Sequence, residues 1–83
     1  MNLETVAHKT REFVSQFLNT DTVDVDVDLF ATGMVNSLFA MQLVLFVEKN
    51  FGMAVANEDL DFENFKSINA IIAFVGRKLS LSA

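Results

Sequence analysis

Eighty-three residues hold one small domain, and chains near this size bury only about 60–70% of the surface they expose when unfolded, so the core must be dense in apolar side chains. The composition meets that demand, with 52% hydrophobic residues, nine Phe and neither Trp nor Tyr. The absence of Cys excludes a disulfide scaffold, a thiolate metal site and a cysteine nucleophile, and a single His argues against a histidine-rich zinc site. Eleven acidic against six basic residues give a net charge of −5, which disfavours nucleic acid and favours a partner with a basic surface.

Residues Met1 to Val6 show neither a basic leader nor an unbroken apolar core, so they do not read as a signal peptide. The most apolar stretch, Leu38 to Val47, contains Gln42 and is about half the ~20 residues that a membrane span needs. The expectation is a cytoplasmic, monomeric, single-domain chain over residues 1–83 with no membrane span.

The first element is an amphipathic helix from about Leu3 to Leu18. Leu3, Val6, Thr10, Phe13, Val14 and Phe17 follow the i, i+3, i+4 rhythm of one face, and Glu4, His8, Lys9, Arg11, Glu12 and Gln16 fall mostly on the other. Asn2 is placed to cap it, and Asn19-Thr20-Asp21 to stop it. From Asn19 to Asn36 no helical period survives. Val23, Val25, Val27 and Leu29 alternate with Thr22, Asp24, Asp26 and Asp28, the pattern of a half-buried strand, yet the only other strand candidate is the short Met53-Ala54-Val55-Ala56. The preferred reading is an extended loop whose Val, Leu29 and Phe30 side chains pin it to the helices; ordered loops of such length often serve function.

Ser37 opens a second helix that runs to about Phe51, with its hydroxyl suited to the N-cap, Lys49 in the last turn and Gly52 at C′. Residues Asn57 to Lys66 hold one short helical turn at most, with Phe62 and Phe65 facing the same way. Ser67 caps a last helix, in which Ile68, Ile71, Ile72, Val75 and Leu79 keep helical spacing and Arg77 and Lys78 stand in the last turn. Gly76 inside it costs ~1 kcal/mol relative to Ala and predicts fraying. The fold class is all-α: a small four-helix bundle of three main helices and one short one, with a long loop between helices one and two.

The second helix is unusual in being apolar nearly all round. At 100° per residue Ala40, Leu43, Val44, Val47 and Phe51 cluster toward a core, while Leu38, Gln42, Leu45 and Lys49 lie opposite with Met41, Phe39 and Phe46 on the flanks. A domain this small has too little protein to cover both sides. Leu38, Met41 and Leu45 therefore stay partly exposed, and contiguous exposed apolar surface marks a place where something binds.

At the head of that helix stands Gly33-Met34-Val35-Asn36-Ser37-Leu38. Here the chain resembles the acyl carrier and peptidyl carrier protein family, whose attachment motif is a Gly followed by Ser-Leu at the start of the second helix. The resemblance extends to Asp28-Leu29-Phe30, Leu43-Val44, Phe51, Glu58-Asp59-Leu60, and Phe65-x-Ser67-Ile68 with Ile71, Ile72 and Val75. Alone, Gly-x-x-x-Ser-Leu is a weak motif; at mid-chain of an acidic helical protein, after a long loop and before an apolar helix, it is specific.

The resemblance implies that Ser37 carries a 4′-phosphopantetheine arm, transferred from coenzyme A by a phosphopantetheinyl transferase, with Met34, Asn36 and Leu38 flanking it. It implies acyl groups held as thioesters for acyl-loading and acyl-accepting enzymes of fatty-acid or polyketide type, and neither a catalytic residue nor a metal. A protein with no Cys carries thioesters only by borrowing a thiol, and the positive end of a helix dipole favours a phosphodiester anion. Gly33 is free to take positive φ and bring backbone close to the arm. The partner surface expected is Leu38, Phe39, Met41, Gln42, Leu45 and Glu48. Two departures stand out: Asn36 replaces the usual Asp, and Phe39, Gln42, Leu45 and Lys49 replace acidic residues that the family uses against basic patches. A dedicated partner with an apolar docking face is the expectation.

Other readings weigh less. Ser37 as a plain N-cap is worth ~1 kcal/mol and leaves the surrounding match unexplained. Asp24, Asp26 and Asp28 have the 1, 3, 5 spacing of a calcium loop, but Leu29 and Val35 stand where Gly and Glu are required. His8 lies on the polar side of the first helix, with no Gly-x-Ser-x-Gly elbow around Ser37. Glu58, Asp59, Asp61 and Glu63 read as a solvated or docking face, and Phe62 and Phe65 as closing the bundle or bordering an acyl-chain cavity. The rival from another class is a helical interaction domain that binds a partner helix through the same apolar face.

Overall fold

A computed structural model describes residues 2–19, 23–30 and 37–81, with Ser37 known by its place in a helix. Four α-helices and one 3-10 turn appear in the order α1 (Leu3–Leu18), α2 (Ser37–Phe51), the turn Asn57–Asp59, α3 (Phe62–Phe65) and α4 (Ile68–Leu79), with no strand among the described residues. The architecture is the expected all-α bundle of three main helices and a short one.

Local chemistry sets these boundaries. Asn2 Oδ1 accepts the Thr5 N–H at 2.9 Å, and α1 ends where Asn19 turns left-handed (φ 55°). Asp61 caps α3 by accepting the Glu63 N–H, and Ser67 Oγ caps α4 by accepting the Ala70 N–H at 3.1 Å. Gly52 ends α2 at φ +61°, a conformation that costs a residue without a Cβ little. Helix α2 takes Ser37 in as its first residue, one position further in than the cap that its hydroxyl was expected to form. Residues 57–66 form two short turns where one was expected, because Asp59 and Asp61 each close one: Asp59 Oδ2 accepts the Ala56 N–H while Asp61 opens α3.

The core joins Val6 and Val14 of α1, Phe39, Leu43, Val47 and Phe51 of α2, Phe65, and Ile68, Ile71, Phe74 and Val75 of α4. An aromatic stack ties α1 to α2, with Phe13 and Phe46 ring centres 4.3 Å apart and those of Phe17 and Phe39 4.5 Å apart. Helix α4 runs on through Gly76 to Leu79. Gly76 is buried, and a Cβ there would stand 2.8 Å from Leu3 Cδ2, so its bareness lets the start of α1 lie against α4.

The described part of the long loop makes no ladder, yet its alternation is real. Val23, Val25 and Val27 are half-buried, Asp24 and Asp26 are exposed, and Leu29 is buried. The loop pairs with the start of α4. Leu29 N–H donates to the Lys66 carbonyl at 2.7 Å, Asn69 N–H donates to the Val25 carbonyl at 3.0 Å, and Asn69 Nδ2 donates to Asp26 Oδ1 at 2.6 Å. A helix N-terminus has orphan N–H groups, and a loop carbonyl satisfies one of them here. The carboxylates of Asp24 and Asp28 accept the N–H groups of Asp26 and Phe30, turn chemistry that accounts for their spacing.

Candidate functional site

Helix α2 displays the surface that its sequence led one to expect, with one rotation. Leu38, Met41 and Leu45 are 61%, 66% and 61% exposed, and Gln42 is exposed beside them. These residues form a stripe with no acidic side chain, and the first turn of the helix carries none either. Phe39, expected on the partner-facing side, is wholly buried instead. Because α2 is apolar nearly all round, its own periodicity does not fix which side faces inward; the rings of Phe13 and Phe17 on α1 do, and they draw Phe39 into the core. Ala40 and Val44, expected in the core, move to its edge and are half-buried.

Glu48 also departs from its expected place. Expected as an outward acidic contact, it is half-buried and its Oε2 accepts the Val55 N–H at 2.9 Å, which fastens the segment after α2 back onto the helix. Met34, Asn36 and Gly33 lie outside the described residues, as does the side chain of Ser37. His8 is exposed and lies 3.3 Å from Glu12 on the outer side of α1.

Beside the stripe runs an apolar groove of about 240 Å³, lined by Phe30, Ala40, Val44, Leu60, Asp61, Phe62 and Phe65. Phe62 and Phe65 border this same groove, as expected, but at different depths: Phe65 is buried against Phe74 and floors it, while Phe62 is exposed at its mouth and leans on Phe30 at 5.6 Å. Leu60 and Phe30 had not been singled out as groove residues. The available signal was Leu60 itself, an apolar side chain set among Glu58, Asp59, Asp61 and Glu63, where an acidic turn has no need of one.

Charge around this groove is held in place. Lys78 Nζ donates to Asp59 Oδ2 at 2.7 Å, Arg77 Nη2 donates to Asn64 Oδ1, and Asn64 Nδ2 donates to the Asp59 carbonyl, so the end of α4 braces the 56–64 segment. The hydrogen bond from Lys78, helped by the Ala56 N–H, lowers the Asp59 carboxyl below its ordinary value. The Glu63 carboxylate, by hydrogen bond and by charge, raises Lys66 above its ordinary value. Among the described residues Asp61 pairs with no cation.

Comparison with known proteins decides the class. The family model of the phosphopantetheine attachment site matches residues 8–75. The chain belongs to that family of carrier proteins. Its relatives include the D-alanyl carrier proteins of Lactococcus lactis subsp. cremoris (strains MG1363 and SK11) and subsp. lactis (strain IL1403), each 33% identical over 55 residues, covering 66% of this chain and 70% of the relative.

The carrier's prosthetic group is 4′-phosphopantetheine. The start of α2 fits it: the helix dipole places positive potential there, and the first turn holds no carboxylate to repel a phosphodiester. No group of three or more His, Cys, Asp or Glu placed to hold a metal occurs among the described residues. Among the described residues no helix is long and apolar enough to cross a membrane.

Proposed function

We propose that Ser37 is the attachment residue and that the chain is a non-catalytic acyl carrier, serving enzymes that come to it. The observation that carries this reading is the position of Ser37, first in a helix with no acid in its opening turn, within the stretch matched by the attachment-site family. The arm's thiol, when bound, holds a small acyl group as a thioester. The protein's own residues supply the rest: the head of α2 presents the attachment point, Met34, Asn36 and Leu38 flank it, and Leu38, Met41, Gln42 and Leu45 form the docking stripe. A phosphopantetheinyl transferase modifies the chain, and acyl-loading and acyl-accepting enzymes work on it in the cytoplasm, with the carrier itself a monomer.

The cargo we propose is an acyl unit of polyketide or fatty-acid type, handled by a dedicated enzyme set. An exposed stripe of Leu, Met, Gln and Leu supports a dedicated set, because it offers no carboxylates to a basic patch. Similarity to the D-alanyl carriers favours a second reading, in which the cargo is an aminoacyl group. Incubation with coenzyme A, Mg²⁺ and a broad-specificity phosphopantetheinyl transferase, followed by intact mass measurement, tests the shared core. Wild type gains the mass of one phosphopantetheine, and Ser37→Ala gains none; wild type left unmodified by several transferases returns the chain to the helical interaction domain. The mass of the cargo on carrier purified from its own cells then separates an acyl from an aminoacyl load.

A further inference from the structure

The chain that leads to Ser37 is fastened by a side chain that its own helix does not require. Asn69 stands in the first turn of α4, where Ser67 already supplies the cap and Ile68 and Ile71 supply the packing. It is exposed, and Asn is a poor helix former. What Asn69 does is hold the loop. Its N–H donates to the Val25 carbonyl at 3.0 Å and its Nδ2 to Asp26 Oδ1 at 2.6 Å, while Leu29 N–H donates to the Lys66 carbonyl at 2.7 Å. Residues 25–29 are thereby bound at three points to the junction of α3 and α4, two of them through Asn69. Phe30, whose N–H donates to Asp28 Oδ1, lies against Phe62. From Phe30 only the six residues 31–36 lead to Ser37 at the head of α2.

From these contacts we infer that Asn69 is a positioning residue for arm attachment: by clamping residues 25–29 it holds the approach to Ser37 in the arrangement that the phosphopantetheinyl transferase binds. The inference rests on Ser37 being the attachment point. An enzyme acting on the first residue of a helix meets the chain before it as well as the helix after it. Loop length sets the size of the effect. With the clamp closed, the six residues 31–36 separate the last held position from Ser37; with it open, the 17 residues 20–36 separate the α1 cap, Asn19, from Ser37. The chance that the ends of a segment lie at a given spacing falls as about the three-halves power of its length, so opening the clamp makes the bindable arrangement up to about fivefold rarer. A competent fraction that falls by that factor raises the apparent dissociation constant by the same factor. Binding then restores the arrangement, so the chemical step keeps its rate.

Steady-state kinetics of arm transfer from coenzyme A by a broad-specificity transferase, together with amide hydrogen exchange of the carrier alone, test this. Asn69→Ala removes the side-chain clasp and keeps the N–H, and Ala strengthens α4 itself. Asn69→Asp sets two carboxylates against each other, while an acid in the first turn suits the helix dipole. Asp26→Asn combined with Asn69→Asp restores the bond with donor and acceptor exchanged. In both Asn69 variants exchange at the Leu29 amide is expected to quicken and KM for the carrier to rise about two- to fivefold at unchanged kcat. The exchanged pair is expected to bring KM and the exchange rate back to within about 1.5-fold of wild type. A residue that only stabilised the fold would leave KM unmoved at equal helical circular dichroism. KM within about 1.5-fold of wild type in both Asn69 variants overturns the positioning role and leaves the attachment reading standing. Unchanged exchange at Leu29, or an exchanged pair that restores neither quantity, overturns it as well. If Asn69→Asp loses its fold, Asn69→Ala decides by the same criterion. Wild type that gains no arm overturns both readings.

Discussion

Helices α2 and α4 are both rich in aliphatic residues and use them differently. Helix α4 buries Ile68, Ile71, Phe74 and Val75 and turns Asn69, Ala73, Arg77 and Lys78 to solvent, the division a surface helix makes when folding alone shapes it. Helix α2 buries Phe39, Leu43, Val47 and Phe51 and still leaves Leu38, Met41 and Leu45 in water. Its surplus contributes little to stability in the free chain, and the docking stripe proposed above is what would account for it. Polar anchoring follows the same division. Around α4, Asn69 clamps the loop, Arg77 holds Asn64 and Lys78 holds Asp59; on the outer stripe of α2 there is no carboxylate.

The sharpest way to break this contrast is within α2. Leu43→Ala empties a fully buried site and is expected to cost ~2–5 kcal/mol in urea unfolding. Leu45→Glu, two positions on, is expected to shift stability by no more than ~0.5 kcal/mol while weakening turnover by a partner enzyme. If Leu45→Glu unfolds the chain, Leu45 belongs to the core and the outer stripe is not a docking surface.

A smaller effect tests the close approach of α1 to α4. In a helix interior Gly→Ala gains ~1 kcal/mol, but at position 76 the new Cβ meets Leu3 Cδ2 at 2.8 Å, the tip of a side chain that has to move. Gly76→Ala is therefore expected within ~1 kcal/mol of wild type, and to stabilise by ~0.5–1 kcal/mol once Leu3→Ala has cleared the site. A full gain in the Leu3 background and in wild type alike would show that Gly76 has no packing role.

The smallest effect is electrostatic. Asp59 titrates below its ordinary value in the folded chain, so its contribution is present above the unfolded carboxyl pKa of ~3.9 and is lost as pH falls through the lower folded value. Asp59→Asn is expected to lower the thermal midpoint at pH 7 and pH 5 alike, and the difference from wild type closes below about pH 4. A difference that persists in acid would place the effect in hydrogen bonding to Ala56 and not in the charge paired with Lys78.

Much of the fold was legible because caps and periods agreed. Asn2, Ser67 and Gly52 mark helix ends by chemistry that needs no tertiary context, and the three main helices fall where the 3.6-residue rhythm places them. What was not legible had no local cause. The rotation of α2 is set by Phe13 and Phe17 on another helix, which is why Phe39 was read as surface. The Val–Asp alternation of the loop looks like a strand because burial alternates in both, but its hydrogen-bond partner is the start of α4. Glu48 is held by Val55, seven residues on, and the groove joins Phe30 to Leu60 and Phe62 across thirty residues of chain. Such contacts leave no period in the sequence.

The central claim is that one hydroxyl, that of Ser37, bears the arm. Fragment-ion mass spectrometry of the modified protein tests it most directly, by finding which peptide releases the pantetheine fragment. The whole of the added mass is expected on the peptide containing Ser37 and at that residue. Added mass on any other Ser or Thr, such as Ser15, Ser67 or Ser80, would contradict it.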